Sequence, residues 1–282
     1  MRVRYSFGSR HTGHLENIRK QKVKYPKVMK DVIRTSDIIL EILDGRFIEE
    51  TRNHDMEGKI LDEGKILVYV INKSDLIDVR KVESELPDWM RPYVFVSATG
   101  GIGLGKLKGR IKMEAKRILK SWKESNDSRR RVQVGVIGYP NAGKSSVINF
   151  ITRRGVAGTG KQAGFTRGMQ KIRMSEGILI LDTPGVIPES KYSTESETFA
   201  KDVKVGARTF SDVKDPEMAV YYLMKENVKK IENFYKINSK ENADDFIEEL
   251  GRQKKFLGKG GKVDVDRTAR LVLRDWQEGK IK

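Results

Sequence analysis

Residues 134–147 read VGVIGYPNAGKSSV: an apolar run, a glycine-bearing turn and the opening of a helix. Within them, Gly138 to Ser145 fit the pattern G-x-x-x-x-G-K-[ST], with the strand before and the helix after that the pattern requires. This decides the fold class. A strand, a phosphate loop and a helix in that order form a unit of an α/β fold whose parallel sheet binds ligands at its strand ends. The backbone N–H groups of residues 141–146 (Asn141, Ala142, Gly143, Lys144, Ser145 and Ser146) are expected to wrap phosphate oxygens, aided by the positive end of the helix. Lys144 is expected to neutralise the outer phosphates and the Ser145 hydroxyl to ligate Mg2+.

Two further stretches extend the phosphate chemistry downstream. GILILDTPG, 177–185, reads as a strand running into an acidic loop, and Asp182 follows Ser145 by 37 residues, room for a helix, a loop and a strand. Asp182 is expected to hold Mg2+ through water, and the Gly185 N–H to sense a γ-phosphate. Between them QAGFTRGMQ, 162–170, offers Thr166 as the switch threonine that closes on the metal while the γ-phosphate is present.

A base reader lies upstream. In VYVINKSDL, 68–76, Asp75 can accept two hydrogen bonds from the N1–H and N2–H2 edge that guanine has and adenine lacks. Asn72 is expected to hold the loop and contact the ring, and the Lys73 stem to cover the base face. The SAT triplet, Ser97, Ala98 and Thr99, begins 22 residues beyond Asp75, and the Ala98 N–H is expected to meet guanine O6.

Around these motifs the chain alternates strand and helix. Strands are predicted at 37–44, 65–72, 93–98 and 132–138, with helices over 104–122 and 145–152, and an apolar-free linker at 123–131. Beyond residue 190 the strands stop. Helices are predicted over 215–235, with Asp215 as N-cap and Pro216 at the first helical position, and over 244–250 and 266–279.

Composition narrows the function. There is no cysteine, which removes thiolate-metal and cysteine-nucleophile chemistry and suits a reducing, cytoplasmic location. The longest apolar run, ILVYVI at 66–71, is far below the roughly 20 residues of a bilayer span, so no membrane role is expected. Net charge is +17, of which residues 1–30 carry +8 and residues 252–282 carry +6, leaving +3 for the rest. A near-neutral middle between two basic ends points to a polyanion such as RNA. Trp276 and Tyr192 are stacking candidates, although helical spacing favours a core role for Trp276.

NKSD, SAT, GYPNAGKSS, GFT and DTPG, in that order, resemble the circularly permuted GTPases. TGHLENIRK at 12–20, LDGRFIEETRN at 43–53 and LGKGGKVDVDRTARLVLRDWQEGKI at 257–281 are similar to the YlqF/RbgA (YawG) ribosome-assembly type, and point to an archaeal member. The family usually has Asp-Ala-Arg followed by proline where this chain has DGR. The resemblance implies a basic arm over 1–30, a permuted P-loop GTPase domain over 31–190 and a small helical basic domain over 191–282. It also implies GTP as substrate, Mg2+, and a monomer that binds rRNA on a large-subunit precursor and leaves after hydrolysis. Ordinary GTPases orient water with a glutamine after the DTPG glycine, where this chain has Val186. The resemblance therefore makes His14 the catalytic candidate and Asn141 the ligand of a K+ ion. It implies slow turnover, stimulated by potassium and ribosomal particles. An RNA chaperone with nucleotide as a structural ligand, and a GTPase acting on tRNA, remain the alternative functions.

Overall fold

The structure is a computed structural model that describes residues 30–125, 127, 131–152, 170–182, 201–206, 209–211 and 213–281, with only the backbone of Gln170 and Asp182. His14, Thr166, Gly185, Val186, Tyr192 and nearly all of the basic arm lie outside the described residues.

Strand β1 (Ile38–Asp44) is buried along its whole length, as a strand covered on both faces must be. It is followed by the short helix α1 (Ile48–Thr51), α2 (His54–Asp62), β2 (Ile66–Asn72), α3 (Val79–Glu85), β3 (Tyr93–Phe95), α4 (Leu104–Glu124), β4 (Val132–Gly138) and α5 (Lys144–Thr152). Two further strands, β5 (Gln170–Ser175) and β6 (Ile178–Asp182), complete one six-stranded sheet of order β3-β2-β1-β4-β6-β5. Every pairing is parallel except β5 with β6. Ile38, Leu40 and Ile42 face Leu107 and Ile111 of α4, while Ile39 and Leu43 face Met56 and Ile60 of α2, the period-two alternation that gives the sheet two covered faces.

The expected strands and helices are present, and two strands differ from expectation. β3 ends at Phe95 rather than residue 98, because Ser97 leaves the sheet to make a local bridge with Ile102. β5 was not expected: its Lys171 and Arg173 are exposed or half-exposed while Ile172 is buried, so half the strand has the composition of a loop.

The C-terminal part consists of α6 (Pro216–Tyr235), α7 (Ala243–Gln253) and α8 (Val265–Gln277) around a separate cluster that includes Leu223, Phe246, Leu250, Val272 and Trp276. Asp215 caps α6 by accepting from the Met218 N–H, and Asp264 caps α8 by accepting from the Arg267 N–H. Trp276 is buried, stacks on Phe47 at 6.1 Å and donates its indole N–H to the Lys204 carbonyl at 2.9 Å, so it belongs to the core and offers no face to a base. No helix among the described residues is long and apolar enough to cross a membrane.

β1 and β4 are neighbours whose connections leave in opposite directions, β1 toward β2 and β4 toward β6. The crevice at their carboxyl ends is where an open α/β sheet binds its ligand. Asp44 ends one of these strands and Gly138 the other.

Candidate nucleotide site

The phosphate loop leaves β4 at Gly138, where φ is +147° and a β-carbon would strike the Ile42 carbonyl of the adjacent strand. Gly143 has φ +100°, and a β-carbon there would collide with the Asn72 carboxamide. Both glycines are therefore required by backbone shape and by close approach. Lys144 opens α5 with its side chain buried, and its Nζ donates to the carbonyls of Gly138 at 3.2 Å and Tyr139 at 3.0 Å. An ammonium buried within the loop beside the helix N-terminus is positioned to meet phosphate oxygens, because its bonds to the Gly138 and Tyr139 carbonyls anchor it there. Ser145 and Ser146 follow, half-buried, in the first turn.

The base-reading loop leaves β2 at Asn72, which lies level with Asp44 in the β1–β2 register. Asn72 is buried. Its Nδ2 donates to the Ala142 carbonyl at 2.9 Å, and its Oδ1 accepts from the Ala98 N–H at 3.2 Å. One side chain thus joins the NKSD, SAT and phosphate loops. Lys73 adopts the left-handed conformation, φ 60°, and turns the chain into the single helical turn Ser74–Leu76, which presents Asp75 at the surface. Ser97 is buried and accepts from the Gly100 N–H at 2.9 Å, shaping the loop that carries Thr99.

Asn72, Lys73, Asp75, Ser97, Ala98, Thr99 and residues 141–146 therefore meet at one end of the sheet. Asp182 ends β6 beside β4. Asn72 holds the loop as expected, and since one N–H of its amide suffices for the Ala142 bond, the expected contact with the ring is compatible with this geometry. The Ala98 N–H, expected to face guanine O6, is engaged by Asn72 through a long bond.

Sequence reasoning passed over Asp44, Arg46 and Tyr139. The Asp44 carboxylate is 1% exposed and accepts from Arg46 Nη2 at 2.8 Å and Lys73 Nζ at 2.7 Å. Burial opposes its ionisation, but the Arg46 hydrogen bonds and the Lys73 charge outweigh it and hold the carboxyl below its ordinary range. Burial also pushes Lys73 down, with the Asp44 charge acting against that shift. The available signal was an acid closing the apolar-rich run IILEILD, where only a partnered charge is tolerated. Tyr139, inside the phosphate loop, donates to Asp202 at 2.9 Å, and Asn141, with φ 59°, donates from Nδ2 to the Gly206 carbonyl at 2.5 Å. The segment entering the C-terminal helices thus grips the phosphate loop. Arg46, Lys73, Asn141, Gly206, Phe210 and Glu278 line a cavity of about 170 Å3 between them. A larger cleft of about 440 Å3 runs along β3 between α3 and α4 and touches none of the motif residues.

Residues 133–252 match the family model described as 50S ribosome-binding GTPase. An uncharacterised GTP-binding protein of Methanocaldococcus jannaschii is 34% identical over 94% of this chain and 68% of its own length. A nuclear GTP-binding protein of Saccharomyces cerevisiae is 32% identical over 94% of this chain and 56% of its own length, so the chain spans only part of these relatives. The crystal structure of GNP-bound YlqF from T. maritima superposes with a TM-score of 0.61 at 21% identity, covering 91% of this chain and 94% of that one, a likeness of fold.

Proposed function

Because this chain belongs to the circularly permuted GTPases of the YlqF type, we propose that it binds GTP with Mg2+, hydrolyses it, and assists large-subunit ribosome assembly as an rRNA-binding factor. The observation that carries the nucleotide reading is Asn72, which bonds both the phosphate loop and the SAT loop although the motifs occur in permuted order along the chain. In this reading 31–190 is the nucleotide domain, and 1–30 and 191–282 are the RNA-facing parts of a cytoplasmic monomer.

Asp75 selects guanine at the exposed rim, the Lys73 stem covers the base, and the loop from Asn141 to Ser146 holds the phosphates. The residues present fit Mg2+. β6 ends at Asp182 beside β4, whose loop leads to Ser145, so two hard oxygen donors lie on adjacent chain exits, with Thr166 and Gly185 as switch residues. When bound, the ion would supply neutralisation of the phosphate charge. With valine after the DTPG glycine, water is oriented by another group. His14 is the proposed one, and K+ beside Asn141 is proposed to supply the charge stabilisation that an arginine finger gives elsewhere.

The test is GTP turnover by the free protein and with precursor large subunits, each in potassium and in sodium. Slow basal hydrolysis that rises with particles and potassium is expected, with Lys144→Ala inactive and trapping assembly intermediates. Equal rates in all four conditions overturn the activation proposal. Normal assembly with Lys144→Ala makes the nucleotide a structural ligand only.

A further inference from the structure

The Asp44 carboxylate is the convergence point of four hydrogen bonds: from the Arg46 backbone N–H at 3.1 Å, Arg46 Nε at 3.0 Å, Arg46 Nη2 at 2.8 Å and Lys73 Nζ at 2.7 Å. It sits at the end of β1, level with Asn72, so the base-reading loop starts beside it. A lysine on an open loop samples many rotamers, and holding its stem against a base would remove that freedom at the moment of binding. Here the freedom is already gone. The left-handed backbone of Lys73 and the buried anion together draw its side chain back across the loop.

Arg46 carries the same carboxylate's influence outward. Its remaining nitrogen, Nη1, donates to the Trp276 carbonyl at 3.0 Å, near the end of α8. A few residues on, Gly279 has φ +73° and lies against Leu76 of the base-reading loop so closely that a β-carbon would overlap the leucine side chain. The base-reading loop is thus held from below by Asp44 and from the side by the C-terminal helix.

We propose that Asp44 is a positioning residue of the nucleotide site: its carboxylate fixes the Lys73 stem as the wall against which the base lies, and through Arg46 ties that wall to α8. This rests on the reading of Lys73 as a base-contacting residue, so the experiment separates the two. A fluorescent GDP analogue is titrated into the full-length protein, Lys73→Ala, Asp44→Asn and the double variant, with melting temperatures measured in parallel. Lys73→Ala is expected to weaken binding roughly tenfold and Asp44→Asn by a similar factor, each about the worth of one charge-assisted contact. The double variant is expected to bind no more weakly than Lys73→Ala, because Asp44 acts through that lysine. If Lys73→Ala binds normally, the base-contact reading fails and the positioning role with it. If Lys73→Ala is weakened while Asp44→Asn is not, or if the Asp44→Asn loss adds in full to that of Lys73→Ala, the positioning role alone is overturned. Should Asp44→Asn not fold, Asp44→Glu, which keeps the charge but shifts it by one methylene, carries the same cycle. Its loss must vanish when Lys73 is absent.

Discussion

The Asn72 carboxamide donates to the Ala142 carbonyl at 2.9 Å, across 70 positions of sequence. Its oxygen takes the Ala98 N–H, so its amide and its carbonyl are each committed to a neighbouring loop. Replacing it by alanine strips a donor from Ala142 and an acceptor from Ala98. A lost partner at a buried polar group costs roughly 1–3 kcal/mol. Asn72→Ala should therefore lower stability by that order in guanidinium denaturation and weaken GDP at least tenfold, since the loops are no longer fixed relative to one another. Unchanged affinity at reduced stability would show that the bridge serves folding alone.

Gly143 supplies an independent check of the same junction. At φ +100° an alanine is strained by backbone shape, and its methyl group meets an Asn72 amide that both neighbouring loops hold in place. Gly101 has φ +74° but open space around it, so Gly101→Ala isolates the backbone cost. Gly143→Ala is expected to lose nucleotide binding altogether and Gly101→Ala to keep it. Retained binding by both contradicts the tight approach of the two loops.

Asp75 lies on the surface turn Ser74–Leu76, so its substitution tests recognition without threatening the core. Asparagine cannot accept from both donors of the guanine edge, but its amide can donate to the extra oxygen of xanthine. A site built around paired donors and acceptors rejects a mismatched partner strongly, by roughly 10²-fold or more. Asp75→Asn should bind GDP weakly and xanthosine diphosphate well, with an unaltered melting temperature. Equal loss for both nucleotides would place guanine recognition elsewhere.

Much of this architecture was legible because each central strand is rich in apolar β-formers and is closed by a residue that the site uses, Asp44 on β1, Asn72 on β2 and Gly138 on β4, with only Glu41 and Gln133 interrupting β1 and β4. β5 was missed because Lys171 and Arg173 alternate with its apolar residues, and an edge strand of that composition reads like a loop. The roles of Asp44 and Asn72 in joining loops depend on the parallel register of β1 with β2 and on the adjacency of β1 and β4, which no local pattern encodes. Trp276 was correctly weighted toward the core by its helical spacing. Its partner Phe47, however, lies in the sheet half of the chain, a contact visible only once both parts are assembled.

Glu41 yields a pH prediction that owes nothing to nucleotide. It is fully buried on β1, with Oε1 accepting from the Asn53 N–H at 2.8 Å and Oε2 without a donor. Glu57 lies beside it, accepting from Arg52 Nε at 2.9 Å and from the Tyr69 hydroxyl at 3.2 Å. Burial, and next the Glu57 charge, push the Glu41 carboxyl well above its ordinary range; protonated, its Oε2 becomes the donor to Glu57. The native state thus holds a proton that the unfolded chain releases near pH ~4.3. Between that pH and the raised native value the fold binds more protons than the unfolded chain, so stability falls as pH rises through the window and levels off above it. Glu41→Gln keeps the Asn53 acceptor, supplies a permanent donor toward Glu57 and does not titrate. The variant should match the native protein near pH 4 and melt higher at pH 8, by about 2–4 °C for each kcal/mol recovered. A melting difference that is the same at pH 4, 6 and 8 would mean that Glu41 takes up no extra proton on folding, and that its orphaned oxygen is satisfied in some other way.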